Sequence, residues 1–353
     1  MIVQVGAVPP PFGGVSIYVK RMRDFLDSRR IDNQVWDISN IKKTENNTIN
    51  TKFPLIPFCY ALRKDIDLIH YNISGSLTKN YIGFFNRAFF KNRTKVLTNH
   101  GDCRSLFSKN RKLIIKSLNS FNAIICVKSG DKEYLLKEGI SSDIYEIPAF
   151  IPPTIQEKDS TEISQKVWNF VESHKPLISA NACQIVFNNG QDLYGIDMCI
   201  DLCANLKREY PNIGLIFNLP CIGEHKYFEK MKQQILKKKI ENNFLFQTQQ
   251  CELYPIIQKS NIFVRPTNKD GDAVSVREAL YFKIPTVASD VVLRPKGCVT
   301  FANRDTTDFS LKVRDVLDNY KTYKNKFETL TVENNAEKIM QLYQNLTNRK
   351  GIQ

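Results

Sequence analysis

Two acidic residues, Asp270 and Glu278, bracket the stretch of this chain whose chemistry is easiest to name. An apolar strand-like run, Asn261-Ile262-Phe263-Val264, precedes them, and a helix-like run ending near Phe282 follows. Their spacing is about two turns of a helix at about 3.6 residues per turn. If that helix begins near Val274, Asp270 lies on the entering loop and Glu278 on the second turn. Backbone N–H groups between them then open toward an anion at the helix start. One acid can hold sugar hydroxyls, the N–H groups a phosphate and the other acid a ribose, which outlines a site for a nucleotide sugar.

Three other places carry residue types suited to chemistry. After the first strand, Gly6-Ala7-Val8-Pro9-Pro10-Pro11-Phe12-Gly13-Gly14-Val15-Ser16 combines stiffening prolines with two glycines that let a backbone approach a ligand. It lacks the G-x-G-x-x-G spacing of a dinucleotide loop. Thr98-Asn99-His100-Gly101-Asp102 ends a strand, where His100 either projects toward a hydroxyl or serves as a packed structural residue. Asp270-Gly271-Asp272 could ligate a divalent metal, although Asp-x-Asp recurs by chance. The run 81–93 mixes Tyr and Phe with Arg and Lys. It is either a helix packing its Phe face on its own domain or an amphipathic surface resting on anionic lipid.

The elements that must position these residues alternate along the chain. Strand-like runs at 2–6, 66–70, 95–98, 123–127, 144–147, 177–180, 213–217, 243–246, 261–264 and 285–288 are separated by helix-like stretches. Such alternation predicts βαβ units and parallel sheets. Pro148, Pro152 and Pro153 and the polar run 157–161 break it, which predicts two domains, 1–157 and 158–331. A last helix over about 332–347 has Ile339, Leu342, Tyr343 and Leu346 on one stripe, and is expected to return to the first domain. In parallel α/β sheets ligands bind beyond the carboxyl ends of the strands. The loops just named are such ends.

Composition narrows the class. Hydrophobic residues make up 42% and charged residues 24%, which suits a globular chain in water. No window approaches the ~18 apolar residues of a membrane span, and the N-terminal run is strand-like rather than a leader, so a cytoplasmic location is expected. Nine scattered cysteines without a C-x-x-C pair imply reduced thiols, and four dispersed histidines give no zinc spacing. A net charge of +14 implies either solvated basic faces or attraction to phosphates, nucleic acid or an anionic membrane. No nucleic-acid module is recognisable and the basic residues are distributed, which disfavours that partner.

Taken together, the chain resembles the retaining glycosyltransferases of GT-B fold, family 4. The resemblance rests on Pro-Pro-Phe-Gly-Gly-Val-Ser, Asn-His-Gly, Ile147-Pro148, and the acid–seven residues–Glu element followed by Ala279-Leu280 and Ile284-Pro285-Thr286-Val287-Ala288-Ser289-Asp290. It implies two Rossmann-like α/β domains facing a cleft. It also implies sugar transfer from a nucleotide-diphosphate donor to a glycan or lipid-linked glycan acceptor, with retention, in bacterial surface polysaccharide synthesis. No metal or other cofactor is implied, and the basic, aromatic first domain suits a peripheral enzyme on the anionic inner leaflet.

By the same resemblance Gly13 and Gly14 lie near the diphosphate or acceptor. His100 contacts the transferred sugar, Asp270 bonds its hydroxyls, and Gly271, Asp272, Ala273, Val274 and Ser275 offer N–H groups. Glu278 binds the ribose. Two features depart from the family. The first acid is Asp rather than Glu, and the two cations that hold the diphosphate are replaced by Asn181 and Tyr194. Charge growing on the leaving diphosphate still needs compensation. Arg265, Arg294 and Lys296 are candidates, each of which could instead be a solvated surface charge. A sugar-nucleotide epimerase or a non-catalytic binder of the same fold remains the alternative.

Overall fold

The computed structural model describes residues 1–45, 47–108, 110–271 and 273–348. The first compact unit runs from Met1 to Thr154 and takes back the segment from Asn334, while the second spans Ile155–Glu333. In chain order the first contains β1 (Ile2–Gly6), α1 (Gly14–Ser28), β2 (Asn33–Asp37), β3 (Thr48–Asn50), α2 (Ile56–Leu62) and β4 (Leu68–Tyr71). It continues with α3 (Ser76–Phe89), β5 (Thr94–Asn99), α4 (Arg111–Leu118), β6 (Ala123–Cys126), α5 (Asp131–Lys137) and β7 (Asp143–Glu146).

Its strands form one parallel sheet in the order β3-β2-β1-β4-β5-β6-β7. Helices cover both faces, so β1, β4, β5 and β6 are buried along their whole length. The strand order reverses between β1 and β4. Loops leaving those two strands therefore diverge and open a crevice at their carboxyl ends.

The second unit contains α6 (Glu157–Thr161), α7 (Gln165–Ser173), β8 (Leu177–Asn181), the short β9 (Phe187–Asn188) and β10 (Gln191–Asp192), α8 (Ile196–Leu206), β11 (Gly214–Asn218) and α9 (His225–Lys237). Then come β12 (Phe244–Gln247), α10 (Tyr254–Lys259), β13 (Ile262–Arg265), α11 (Val274–Tyr281), β14 (Thr286–Ser289), β15 (Val299–Phe301), α12 (Thr306–Asp318) and α13 (Tyr320–Glu328). The main sheet is parallel with order β12-β11-β8-β13-β14-β15. Here the order reverses between β8 and β13.

The proline-broken stretch expected to be a junction is only partly linker. It folds into α6 and α7, and α7 buries Val167 and Val171 beside Leu177 and Ile216. The junctions fall at 154/155 and 333/334, a few residues from the expected 157/158 and 331/332.

The last helix, α14 (Asn335–Asn348), belongs to the first unit. It buries Ile339, Leu342, Tyr343 and Leu346, the stripe read from the sequence. The Tyr343 hydroxyl meets His70 Nδ1 at 2.5 Å, His70 Nε2 meets Thr98 Oγ1 at 2.7 Å, and Asn335 Nδ2 donates to the Phe150 carbonyl at 2.8 Å. Among the described residues no helix is long and apolar enough to cross a membrane, and all nine cysteines are free thiols.

Candidate active site

In the first unit the loop after β1 is tied down at both ends. Val8 N–H donates to Asp37 Oδ2 at 2.9 Å. Gly13 N–H donates to Ser16 Oγ at 3.0 Å, and that hydroxyl donates to the Pro11 carbonyl at 2.6 Å. Gly13 is extended, with φ −158°, so backbone strain does not demand a glycine. A Cβ placed on Gly13 or Gly14 would meet nothing within 4 Å. Space beside both backbones is open, and the missing side chains leave room for a ligand at the start of α1.

His100 follows β5. Its Nε2 meets Asn72 Oδ1 at 3.1 Å, and its ring stands edge-on to Tyr18 at 4.8 Å. Burial, and then the Lys79 ammonium, push its pKa down to about 3, so it is a neutral imidazole at physiological pH although an edge reaches solvent. In the tautomer that donates from Nε2 to Asn72, Nδ1 is an acceptor. Asn72 was not singled out in the sequence. It immediately follows β4 at the strand-order reversal, and its buried Nδ2 has no hydrogen-bond partner among the described residues. Lys79, also unremarked, is buried in α3 and donates to the Ile73 carbonyl at 3.1 Å. Burial lowers its pKa to about 8.

In the second unit the candidates converge where the strand order reverses. Arg265 is the last residue of β13, and its Nη1 donates to the Asn181 carbonyl at 2.8 Å and to Asn181 Oδ1 at 3.1 Å, across to the end of β8. Its guanidinium lies 4.7 Å from the Tyr194 ring centroid. Its Nε is 3.6 Å from Asp270 Oδ2 and makes no hydrogen bond among the described residues.

Arg294 completes the cluster. Its Nη1 donates to Asp270 Oδ2 at 2.8 Å, while its Nε and Nη2 donate to the Ser289 carbonyl and hydroxyl at 2.8 and 3.2 Å. Its side chain is 3% exposed. Burial pushes the Asp270 carboxyl up, but the Arg265 charge and the Arg294 hydrogen bond outweigh that and hold it below its ordinary value. Two guanidiniums thus share one carboxylate, and a divalent cation at Asp270 would be repelled by both.

Backbone contacts fix the geometry. Gly195, at φ +69°, lies so close to Pro266 that an added Cβ would come within 2.4 Å of its carbonyl oxygen. Asn268 N–H and Thr267 Oγ1 both donate to the Leu193 carbonyl, at 2.9 and 2.8 Å. These bonds press the Tyr194 loop onto the loop after β13.

The remaining candidates sort as follows. Gly271 N–H is engaged by Asp270 Oδ1 at 3.1 Å. Ala273 is the N-cap of α11, with no side-chain cap, so the N–H groups of Val274 and Ser275 start the helix. Glu278 is on the second turn of α11 and only 2% exposed. Lys296 is exposed and, among the described residues, forms no ion pair with the cluster. Asp272 lies outside the described residues. Gly13, Gly14 and His100 belong to the other unit.

Residues 184–329 match the family model of the glycosyl transferases group 1. No curated protein matches the chain. Among solved structures, Anabaena Alr3699/HepE in complex with UDP-glucose is similar over 99% of this chain and 98% of its own, with a TM-score of 0.62 at 13% identity. A glycosyltransferase from Rickettsia africae ESF-5 is similar over 98% of both chains, with a TM-score of 0.67 at 11% identity. The apo lipopolysaccharide outer core galactosyltransferase WaaB covers 95% of this chain and 97% of its own, with a TM-score of 0.58 at 15% identity. The fold is that of the GT-B glycosyltransferases, and the group 1 match covers the second unit from the end of β8 to α13.

Proposed function

We propose that the protein is a glycosyltransferase that moves a sugar from a nucleotide-diphosphate donor to an acceptor hydroxyl, with retention of anomeric configuration. One observation carries the reading. The buried guanidinium of Arg265 lies against Asn181, Tyr194 and Asp270 at the reversal point of the second sheet. Asn181 and Tyr194 stand where the family-4 resemblance expects the diphosphate cations. Arg265, backed by Arg294, supplies positive charge at that place. The family-model match and the UDP-glucose held by HepE support the same reading.

The residues divide the work. Arg265 and Arg294 stabilise the diphosphate as negative charge grows on it, in a site where water is scarce and such charges act strongly. The first N–H groups of α11 add their partial charge. Glu278 takes the ribose and Asp270 orients the arginines while facing the sugar. In the first unit, neutral His100 and Asn72 offer hydrogen bonds to hydroxyls without competing for the phosphate. The diphosphate oxygen accepts the acceptor's proton on the face it leaves, so no carboxylate pair of the glycosidase type is needed. The acceptor is a lipid-linked glycan of a bacterial surface polysaccharide, met at the inner leaflet.

The test is a panel of UDP-, GDP- and ADP-sugars assayed for binding and slow hydrolysis, with and without EDTA, using wild type, Arg265→Gln and Glu278→Ala. Selective, EDTA-resistant turnover lost in both variants is the expected result. Binding without turnover would make the protein a non-catalytic binder. Interconversion of free sugar nucleotides would make it an epimerase, and indifference to all donors would sink the reading.

A further inference from the structure

The first unit carries a surface that none of this chemistry uses. α3 turns Lys79, Ile82, Gly83 and Asn86 inward, and leaves Phe84 57% and Phe89 68% exposed. α2 adds Phe58, 57% exposed, and Leu62, 84% exposed. The rings are continuous, with Phe85 5.7 Å from Phe58, 5.4 Å from Phe84 and 5.9 Å from Phe89. Gly83 sits directly on Ser117, where a Cβ would come within 2.5 Å of the serine Cβ, so α4 lies tight against α3. α4 contributes exposed Leu113, Lys112 and Lys116 to the same region.

The charge around these rings is predominantly positive, because the acids at their edge are already paired: Asp65 with Arg63, Asp67 with the N-terminal ammonium and Glu138 with Arg111. Lys64, Arg87, Lys91, Lys112 and Lys116 form no ion pair among the described residues. From Lys52 to Gly130 the acidic residues are Asp65, Asp67 and Asp102, against many more Lys and Arg. A soluble domain rarely leaves a contiguous aromatic patch uncovered without a partner for it. A second copy of the chain would bring the same unpaired cations face to face in a two-fold contact. An anionic bilayer instead offers acyl chains to the rings and phosphates to the flexible Lys and Arg ends.

We propose that the face built by α2, α3 and α4 docks the protein on an anionic lipid bilayer, with Phe58, Phe84 and Phe89 entering the interface and Lys64, Arg87, Lys91, Lys112 and Lys116 meeting headgroups. This extends the inner-leaflet part of the reading above, but it stands on this surface alone.

The full chain is floated with phosphatidylcholine vesicles lacking or containing about 30 mol % phosphatidylglycerol, over a range of salt. Binding that requires the anionic lipid and weakens with salt is expected. Lys112→Gln with Lys116→Gln should weaken it by about fivefold for each charge removed. Phe84→Ser with Phe89→Ser should weaken it by about tenfold or more. Both pairs should keep wild-type near-ultraviolet dichroism and wild-type hydrolysis of a soluble donor. Absence of donor hydrolysis by the wild type would instead count against the catalytic reading and leave the docking result to stand on flotation.

No flotation, flotation indifferent to anionic lipid, or flotation unchanged in both variants would overturn the proposal. So would self-association, or salt-sensitive nucleic-acid binding, that the Phe variant abolishes while flotation persists.

Discussion

The two sheets reverse their strand order in the same way and place opposite chemistry at the reversal. Around the ends of β1, β4 and β5 the groups are mostly neutral: bare glycine backbone, Asn72, Tyr18 and an imidazole kept uncharged, with the buried Lys79 ammonium behind them. At the ends of β8 and β13 they are ionic: Arg265, Arg294 and Asp270, with Glu278 on α11. A shared topology thus provides a crevice without saying what fills it. Side chains at strand ends decide, and here they suit hydroxyls in one unit and a diphosphate in the other.

Breaking the ionic crevice should have the largest effect. Arg265→Gln is expected to lower kcat/KM for the donor by ~10²–10³-fold, read by steady-state kinetics, with His100-dependent contacts untouched. A loss below tenfold would mean that Arg265 is structural. Arg294→Ala leaves Asp270 buried with one partner and should destabilise the protein by about 3 kcal/mol in urea unfolding. Replacing both partners, Asp270→Asn with Arg294→Met, should cost less than the sum of the single changes. Simple additivity would show that the pair is not coupled.

The neutral crevice should respond more gently. His100→Ala is expected to reduce kcat/KM by about tenfold to a hundredfold while donor affinity in the second unit stays unchanged. An equal loss of donor affinity would erase the contrast.

Acid should also distinguish the two units. Burial holds His70 neutral in the folded chain down to about pH 3, whereas an unfolded histidine takes a proton near pH 6.5. The unfolded state then binds more protons in that window. Stability should therefore fall as pH drops from about 6.5 toward 3, by up to ~1.4 kcal/mol per pH unit from His70. His70→Gln should flatten that slope. Asp270, by contrast, has its pKa held below the ordinary carboxylate value, so its contribution is kept above that value and lost as pH falls from it through the lowered folded one.

The smallest change concerns the β9–β10 hairpin that braces the ionic site. Gly190→Ala forces φ +75° on alanine and should cost about 1 kcal/mol by thermal melting, with little change in turnover.

The alternation of strands and helices was legible because parallel strands buried on both faces read as apolar runs, as Ile262-Phe263-Val264 does. Asn33–Asp37 escaped notice because a polar, mixed segment gives no such run. Asn189-Gly190 is a recognisable hairpin turn, but the strands it joins are two residues each, too short to give an alternating run. Arg265 was readable as a strand-end cation, but its partners Asn181 and Tyr194 are brought to it by β8 lying beside β13. That neighbour relation is a property of sheet order, which local sequence does not encode. The outward Phe84 and Phe89 could not be separated from inward packing by pattern alone, because the helix buries Lys79 and Asn86 where apolar residues would be expected.

The place of α14 also bears on how the chain matures in the cell. Because the second unit is inserted within the first, the contact between His70 and Tyr343 joins residues 273 apart. A ribosome adding ~5–20 residues per second releases the second unit whole before the helix that seals the first. For on the order of ten to thirty seconds the nascent first unit lacks its closing helix, with the pocket around His70 uncovered. Chaperone binding during synthesis should therefore concentrate on the earlier half of the chain, although that half is made first.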